Sequence, residues 1–210
     1  MESVNEKAKQ FWSGDGGDFW VENQNDLDVT LAPLGEAALK KLNLLSCSSV
    51  LDIGCGTGRT TIDIAKSLRA DGKATGLDIS EPMLQKAKML AKSEEVENVG
   101  FACLDVQVES LGNVVFDAAF SRFGVMFFED PMEAFSNIHN ALSATGALSF
   151  VCWQSPAVNP WHALSMEVVT EYIDIPKPPP RSPSPFAFQE RDYVEEILVT
   201  AGFRNIEIMS

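Results

Sequence analysis

Short apolar runs alternate with stretches of helical spacing along most of this chain. Residues 50–53, Val-Leu-Asp-Ile, read as a β-type run closed by glycines, and residues 60–70 then place Ile62, Ala65 and Leu68 on one helical face. A second strand is predicted over 74–79. Ser80 can cap the helix that follows, with Pro82 tolerated in its first turn and Met83, Ala87 and Leu90 forming the apolar stripe. Third and fourth strands are predicted over 99–104 and 115–120. Asp130-Pro131 opens a helix carrying Ala134, Ile138 and Leu142 on one face until Gly146 ends it, and 147–153 predict a fifth strand. The order β-α-β-α-β-loop-β-α-β calls for right-handed crossovers and helices on both faces, which is a doubly wound, mainly parallel α/β sheet in three layers.

Two regions break that rhythm and set the expected organisation. Residues 1–45 carry Phe11, Trp12, Phe19 and Trp20 among Gly14, Gly16 and Gly17, then a helix around 34–44, and read as a helical, aromatic cover on a core of 46–153. Residues 154–190 hold a helix over 161–173 and a proline-dense stretch from Pro176 to Pro185, read as a lid and a stiff, extended connector. The PxxP match at Pro180-Arg181-Ser182-Pro183 is of a kind common by chance. Residues 191–210 supply a last helix over 193–201, closed by Gly202, and a sixth strand over 203–209.

Composition narrows the function classes. A chain of 210 residues, 45% hydrophobic and 22% charged, suits one globular domain with a sizeable core and excludes collagen, coiled coil and wholesale disorder. Sixteen basic against 30 acidic residues give a formal charge of −14, which argues against nucleic acid or an anionic membrane as partner. No apolar run approaches the roughly 18–20 residues a bilayer span requires. The first six residues lack a basic segment followed by an apolar one, so no secretory signal is read there. Cys47, Cys55, Cys103 and Cys152 lie far apart, which fits neither a metal site nor a disulfide framework and predicts reduced, mostly buried thiols in a cytoplasmic protein.

The chemistry concentrates in Val50-Leu51-Asp52-Ile53-Gly54-Cys55-Gly56-Thr57-Gly58, a strand running into three alternate glycines and then a helix. Glycine serves where backbone turns sharply and approaches a ligand, and open α/β sheets bind ligands beyond their C-terminal strand ends. The dinucleotide pattern GxGxxG needs a third glycine at position 59, where this chain has arginine. Asp52 beside the turn suits a ligand with a cationic amine. Asp78, ending the second strand, can accept both hydroxyls of a ribose, which fits NAD and S-adenosylmethionine equally. Asp105, ending the third strand, can accept from an adenine amino group. Either Asp52 or Asp105 alone reads as a turn or cap acid; three acids at three successive strand ends form a specific pattern.

Leu51 to Gly58 with Asp78, Asp105 and the fourth strand Phe116-Asp117-Ala118-Ala119-Phe120-Ser121 resemble the class I S-adenosylmethionine-dependent methyltransferases, and most nearly their ubiquinone/menaquinone methyltransferase-like branch. The likeness covers residues 10–153 closely. It implies a Rossmann-like fold in which Gly54, Cys55, Gly56 and Gly58 shape the turn under the methionine part, with Asp52 placing its amino group. It further implies that Asp78 holds the ribose, Ile79 and Met83 flank the adenosine, and Asp105 and Val106 hold adenine. Ser121, Arg122 and Phe123 are implied to border the methyl-transfer site, and Trp12 and Trp20 to cover the cofactor. As packing residues, Trp12, Trp20 and Trp161 need no such role. His139 reads as structural, whereas His162 is a candidate base.

The implied reaction is in-line methyl transfer to a small organic acceptor, favoured over nucleic acid by the apolar stretch Phe123 to Phe128 and by the charge. Two alternatives stand beside it: an inactive, cofactor-binding regulatory protein, and a nicotinamide-dependent oxidoreductase. The methylated atom and the oligomeric state are not set by the sequence. The resembled family has strands in the order 3-2-1-4-5-7-6. Strand seven is missing before Ser210, so a C-terminally truncated fragment with a poorly filled slot beside strand five is expected.

Overall fold

The computed structural model describes residues 5–112, 115–176 and 178–210, so the reading of the first four residues lies outside it. Three helices come first, α1 (Glu6–Trp12), α2 (Asp15–Glu22) and α3 (Gln24–Leu39). The sheet follows: β1 (Ser49–Ile53), α4 (Arg59–Ser67), β2 (Lys73–Asp78), α5 (Glu81–Ser93), β3 (Val99–Cys103), β4 (Phe116–Arg122), α6 (Pro131–Ala141) and β5 (Leu142–Val151). Helices α7 (Pro160–Val169) and α8 (Arg191–Thr200) complete the described elements. All five strands pair in parallel in the order β3-β2-β1-β4-β5. That order reverses direction at β1, the position that opens a crevice at the strand ends.

Strand alternation divides the core between two faces. Leu51, Ile53, Leu77 and Ala119 pack with Phe135 and Ile138 of α6 and with Tyr193, Val194 and Ile197 of α8. Val50, Ala74, Ala118 and Phe120 face the other way, toward Ile64 and Ala65 of α4. Caps fix two of the crossover helices: the Ser80 hydroxyl accepts from Met83 N–H at the start of α5, and the Asp130 carboxylate accepts from Glu133 N–H at the start of α6.

Several expectations are corrected. Gly14 lies in the break between α1 and α2, whereas Gly16 and Gly17 are buried inside α2. Helix α3 runs from Gln24, with Pro33 inside it, rather than over 34–44. Gly146 does not end α6 but sits within β5, where the register with β4 shifts between the Phe116–Leu142 and Ala118–Ala147 pairs. The proline-dense stretch turns rather than extending: Ser182 N–H donates to Pro179 C=O, and Ser184 N–H reaches Met126 C=O at 3.3 Å. Residues 203–209 form no strand. Asn205 adopts a left-handed φ of 55°, which interrupts any extended run, while Phe203, Ile206 and Ile208 satisfy their apolar pattern by packing on the core beneath α8. Among the described residues no ladder joins that segment to β5, which is the edge of the sheet. Of the four free thiols, Cys47 and Cys55 are buried and Cys152 half-buried, but Cys103 is exposed. No helix among the described residues is long and apolar enough to cross a membrane.

Candidate cofactor site

A cavity of about 520 Å³ lies beyond the C-terminal ends of all five strands. Its floor is the turn after β1. Gly54 and Gly56 take φ of 63° and 55°, a region that side chains disfavour. Space is equally tight, since a Cβ on Gly54 would stand 2.8 Å from the Gly124 Cα and one on Gly56 would stand 2.9 Å from the Met83 Cε. Gly58 serves differently. A Cβ there would lie 2.6 Å from the Ala87 Cβ, so this glycine lets α4 start close against α5, and it is not part of the cavity wall. The following residue, Arg59, points outward to Asp63 and Glu94, each at 2.6 Å.

Three acids meet this space. Asp78 accepts from Gly56 N–H at 2.7 Å and Ser80 N–H at 2.9 Å, one on each oxygen, and its burial raises the carboxyl above the usual range despite those bonds. Asp52 accepts from the Thr61 hydroxyl at 2.6 Å. Burial pushes Asp52 up to about 7, opposed by the Thr61 bond and the Arg122 charge and assisted by Asp78. Asp105 accepts from Asn5 Nδ2 at 2.8 Å and from Gln107 N–H at 3.0 Å. Asn5 also accepts from Glu129 N–H at 3.4 Å, so it ties the start of α1 across the cavity mouth.

The remaining wall is mainly apolar, part aliphatic and part aromatic. Phe123, with φ of 60°, holds a backbone conformation uncommon outside glycine, and this turn stacks its ring on Trp153 at 4.4 Å. Trp161 packs beside Trp153, and Trp12 meets Phe127 edge-on at 4.9 Å. Trp20, Cys55, Ile79, Met83, Val106 and Arg122 complete the predicted residues that line the cavity.

Besides Gly58, two predicted residues are placed elsewhere. Ser121 is fully buried, its hydroxyl donating to Ile53 C=O at 2.7 Å and accepting from Gly124 N–H at 3.2 Å. It clamps β4 to the end of β1 beneath the site rather than bordering it. His162 lies outside the wall, edge-on to Phe186 at 4.6 Å, with Nδ1 buried and unpartnered among the described residues. Sequence reasoning missed Asn5, Leu27, Thr30, Leu31 and Pro185. They belong to segments that reach the cavity only through the way α1, α3 and the turn before α8 fold back, and no local motif marks them.

Residues 50–146 match the methyltransferase domain family. Over those residues the sheet order and the acid-lined turn agree with a methyltransferase domain. An O-methyltransferase of Pyrenophora dematioidea is 26% identical over 200 residues, 90% of this chain and 67% of that protein. The demethylmenaquinone methyltransferase of Lactococcus lactis subsp. lactis (strain IL1403) is 32% identical over 108 residues, 51% of this chain and 43% of that one. The chain spans about half the length of several curated relatives it matches. The fold is shared with a SAM-dependent methyltransferase from Aquifex aeolicus, at a TM-score of 0.60 and 20% identity over 81% of this chain and 79% of that one.

Proposed function

We propose that this chain binds S-adenosylmethionine in the strand-end cavity and catalyses in-line methyl transfer to a small organic acceptor. The observation that carries the reading is the convergence of Asp52, Asp78 and Asp105, from three strand ends, on one cavity whose other walls are mainly apolar. The cofactor supplies an already activated methyl group, so the protein's task is to hold, orient and exclude water. Each Asp78 oxygen has a lone pair beyond its backbone bond and can accept from a ribose hydroxyl. Asp105 and Val106 then hold adenine, Ile79 and Met83 flank the adenosine, and Gly54, Cys55 and Gly56 floor the methionine part beside Asp52. Trp12 and Trp20 cover the site.

The titratable side chains of the wall, among the described residues, are Asp52, Cys55, Asp78, Asp105 and Arg122. Burial keeps the Cys55 thiol protonated. An acceptor atom that is acidic or already carries a free lone pair therefore suits the site better than an aliphatic alcohol, which needs a strong base. The O-methyltransferase and demethylmenaquinone methyltransferase among the relatives support a small-molecule acceptor.

Calorimetric titration with S-adenosylhomocysteine and with NAD tests the reading directly. The nucleoside thioether is expected to bind and NAD to bind far more weakly. Asp78→Ala should weaken S-adenosylhomocysteine by about 1–3 kcal/mol, because buried hydroxyls lose their acceptor. Unchanged affinity would remove the ribose assignment. Transfer of labelled methyl to a panel of phenols, quinols and amines distinguishes an enzyme from a binding protein.

A further inference from the structure

Arg122 is the one positively charged side chain in the cavity wall among the described residues. Its position is built by three elements. It ends β4, and the pairing of Asp52 with Phe120 sets it near the end of β1. Its methylenes cross α3 at Gly35, where a Cβ would stand 3.0 Å from the Arg122 Cδ. Two turns earlier on that helix, Asp28 accepts from Arg122 Nη2 at 2.6 Å, with the two side chains only 11% and 13% exposed.

One edge of the guanidinium is thus fixed by an acid. Nε and Nη1 have no partner among the described residues and keep accessible surface. A planar fork with open donors in an apolar wall is matched by a carboxylate, which can take two parallel N–H bonds. The fork stands at the glycine-turn end of the cavity, since Gly124, two residues on, touches Gly54. Asp78 and Asp105 belong to the ends of the neighbouring strands β2 and β3, on the opposite side of β1 from β4.

Resting on the methyltransferase reading, we propose that Arg122, oriented by Asp28, receives the α-carboxylate of the cofactor's methionine part. The amino-acid head then lies between opposite charges, its ammonium toward Asp52 and its carboxylate toward Arg122. Asp28 is a positioning residue in this arrangement.

The test compares three ligands by calorimetry: S-adenosylhomocysteine, its decarboxylated analogue, and 5′-methylthioadenosine, which lacks the whole head. They are titrated into the unaltered protein, Arg122→Gln, and the double variant Asp28→Asn/Arg122→Gln, which leaves no unpaired buried acid if the single variant folds poorly. The unaltered protein should prefer S-adenosylhomocysteine to the decarboxylated analogue. Both variants should lose about ten- to a hundredfold in affinity for S-adenosylhomocysteine and almost none for the other two. Equal weakening of all three ligands overturns the proposal, as does unchanged S-adenosylhomocysteine binding with a raised KM for the acceptor. If none of the three binds the unaltered protein, the cofactor reading itself falls, a result distinct from loss of discrimination.

Discussion

Asp52 keeps a proton at pH values where an ordinary aspartate has lost it, because burial in the cavity floor pushes its carboxyl from 3.8 up to about 7. The sign for stability follows. Between about pH 4 and pH 7 the native protein holds a proton that the unfolded chain releases, so this group's contribution is complete below about pH 4 and lost as pH rises through about 7. At about 1.4 kcal/mol per pH unit, the window amounts to about 4 kcal/mol. Urea unfolding of Asp52→Asn should show a flatter stability profile between those limits. A cationic ligand reverses the preference by favouring the carboxylate. S-adenosylmethionine should therefore bind more tightly as pH rises from about 5.5 to 7.5, with proton release measurable in buffers of different ionisation enthalpy. Individual acids were readable in advance because each follows an apolar run that sets a strand end. The direction of Ser121 was not, since a hydroxyl after β4 can turn to the cavity or to the Ile53 carbonyl, and only packing decides.

At the level of elements, α1 and α2 show how a glycine inside a helix can serve packing. Gly17 provides room in α2: a Cβ there would collide with the Trp12 carbonyl oxygen. Gly17→Ala should therefore detach α1 while leaving the sheet intact. Trp fluorescence should shift, amide exchange across residues 5–22 should accelerate, and β1 and β4 should keep their protection. Equal exchange in both proteins would show that the contact does not hold the two helices together. The sheet order was readable because alternating β and α patterns admit few parallel topologies. The fate of residues 203–209 was not, because Phe203, Ile206 and Ile208 are as apolar as a strand requires, and one left-handed residue, Asn205, turns them to packing instead.

The whole molecule carries a formal charge of −14 over 210 residues, and self-repulsion of that size opposes compactness. Raising sodium chloride from about 20 to 300 mM shortens the screening length severalfold and should raise the thermal midpoint. A midpoint that falls would mean that surface pairs such as Arg59–Glu94 outweigh the repulsion. The same scale gives the Asn5 tie its meaning, for it joins residue 5 to Asp105 and to the backbone of Glu129. In the proposed complex the tie spans the approach to Asp105, and the expected outcome is that it opens before the base seats. Association then becomes a two-step process with a ceiling. In stopped-flow records of Trp fluorescence, the observed rate should rise with ligand concentration and then level off at the opening rate of the tie. Asn5→Ala should abolish the plateau and leave a faster, linear dependence, whereas linearity in the unaltered protein would show that ligand enters without waiting for Asn5.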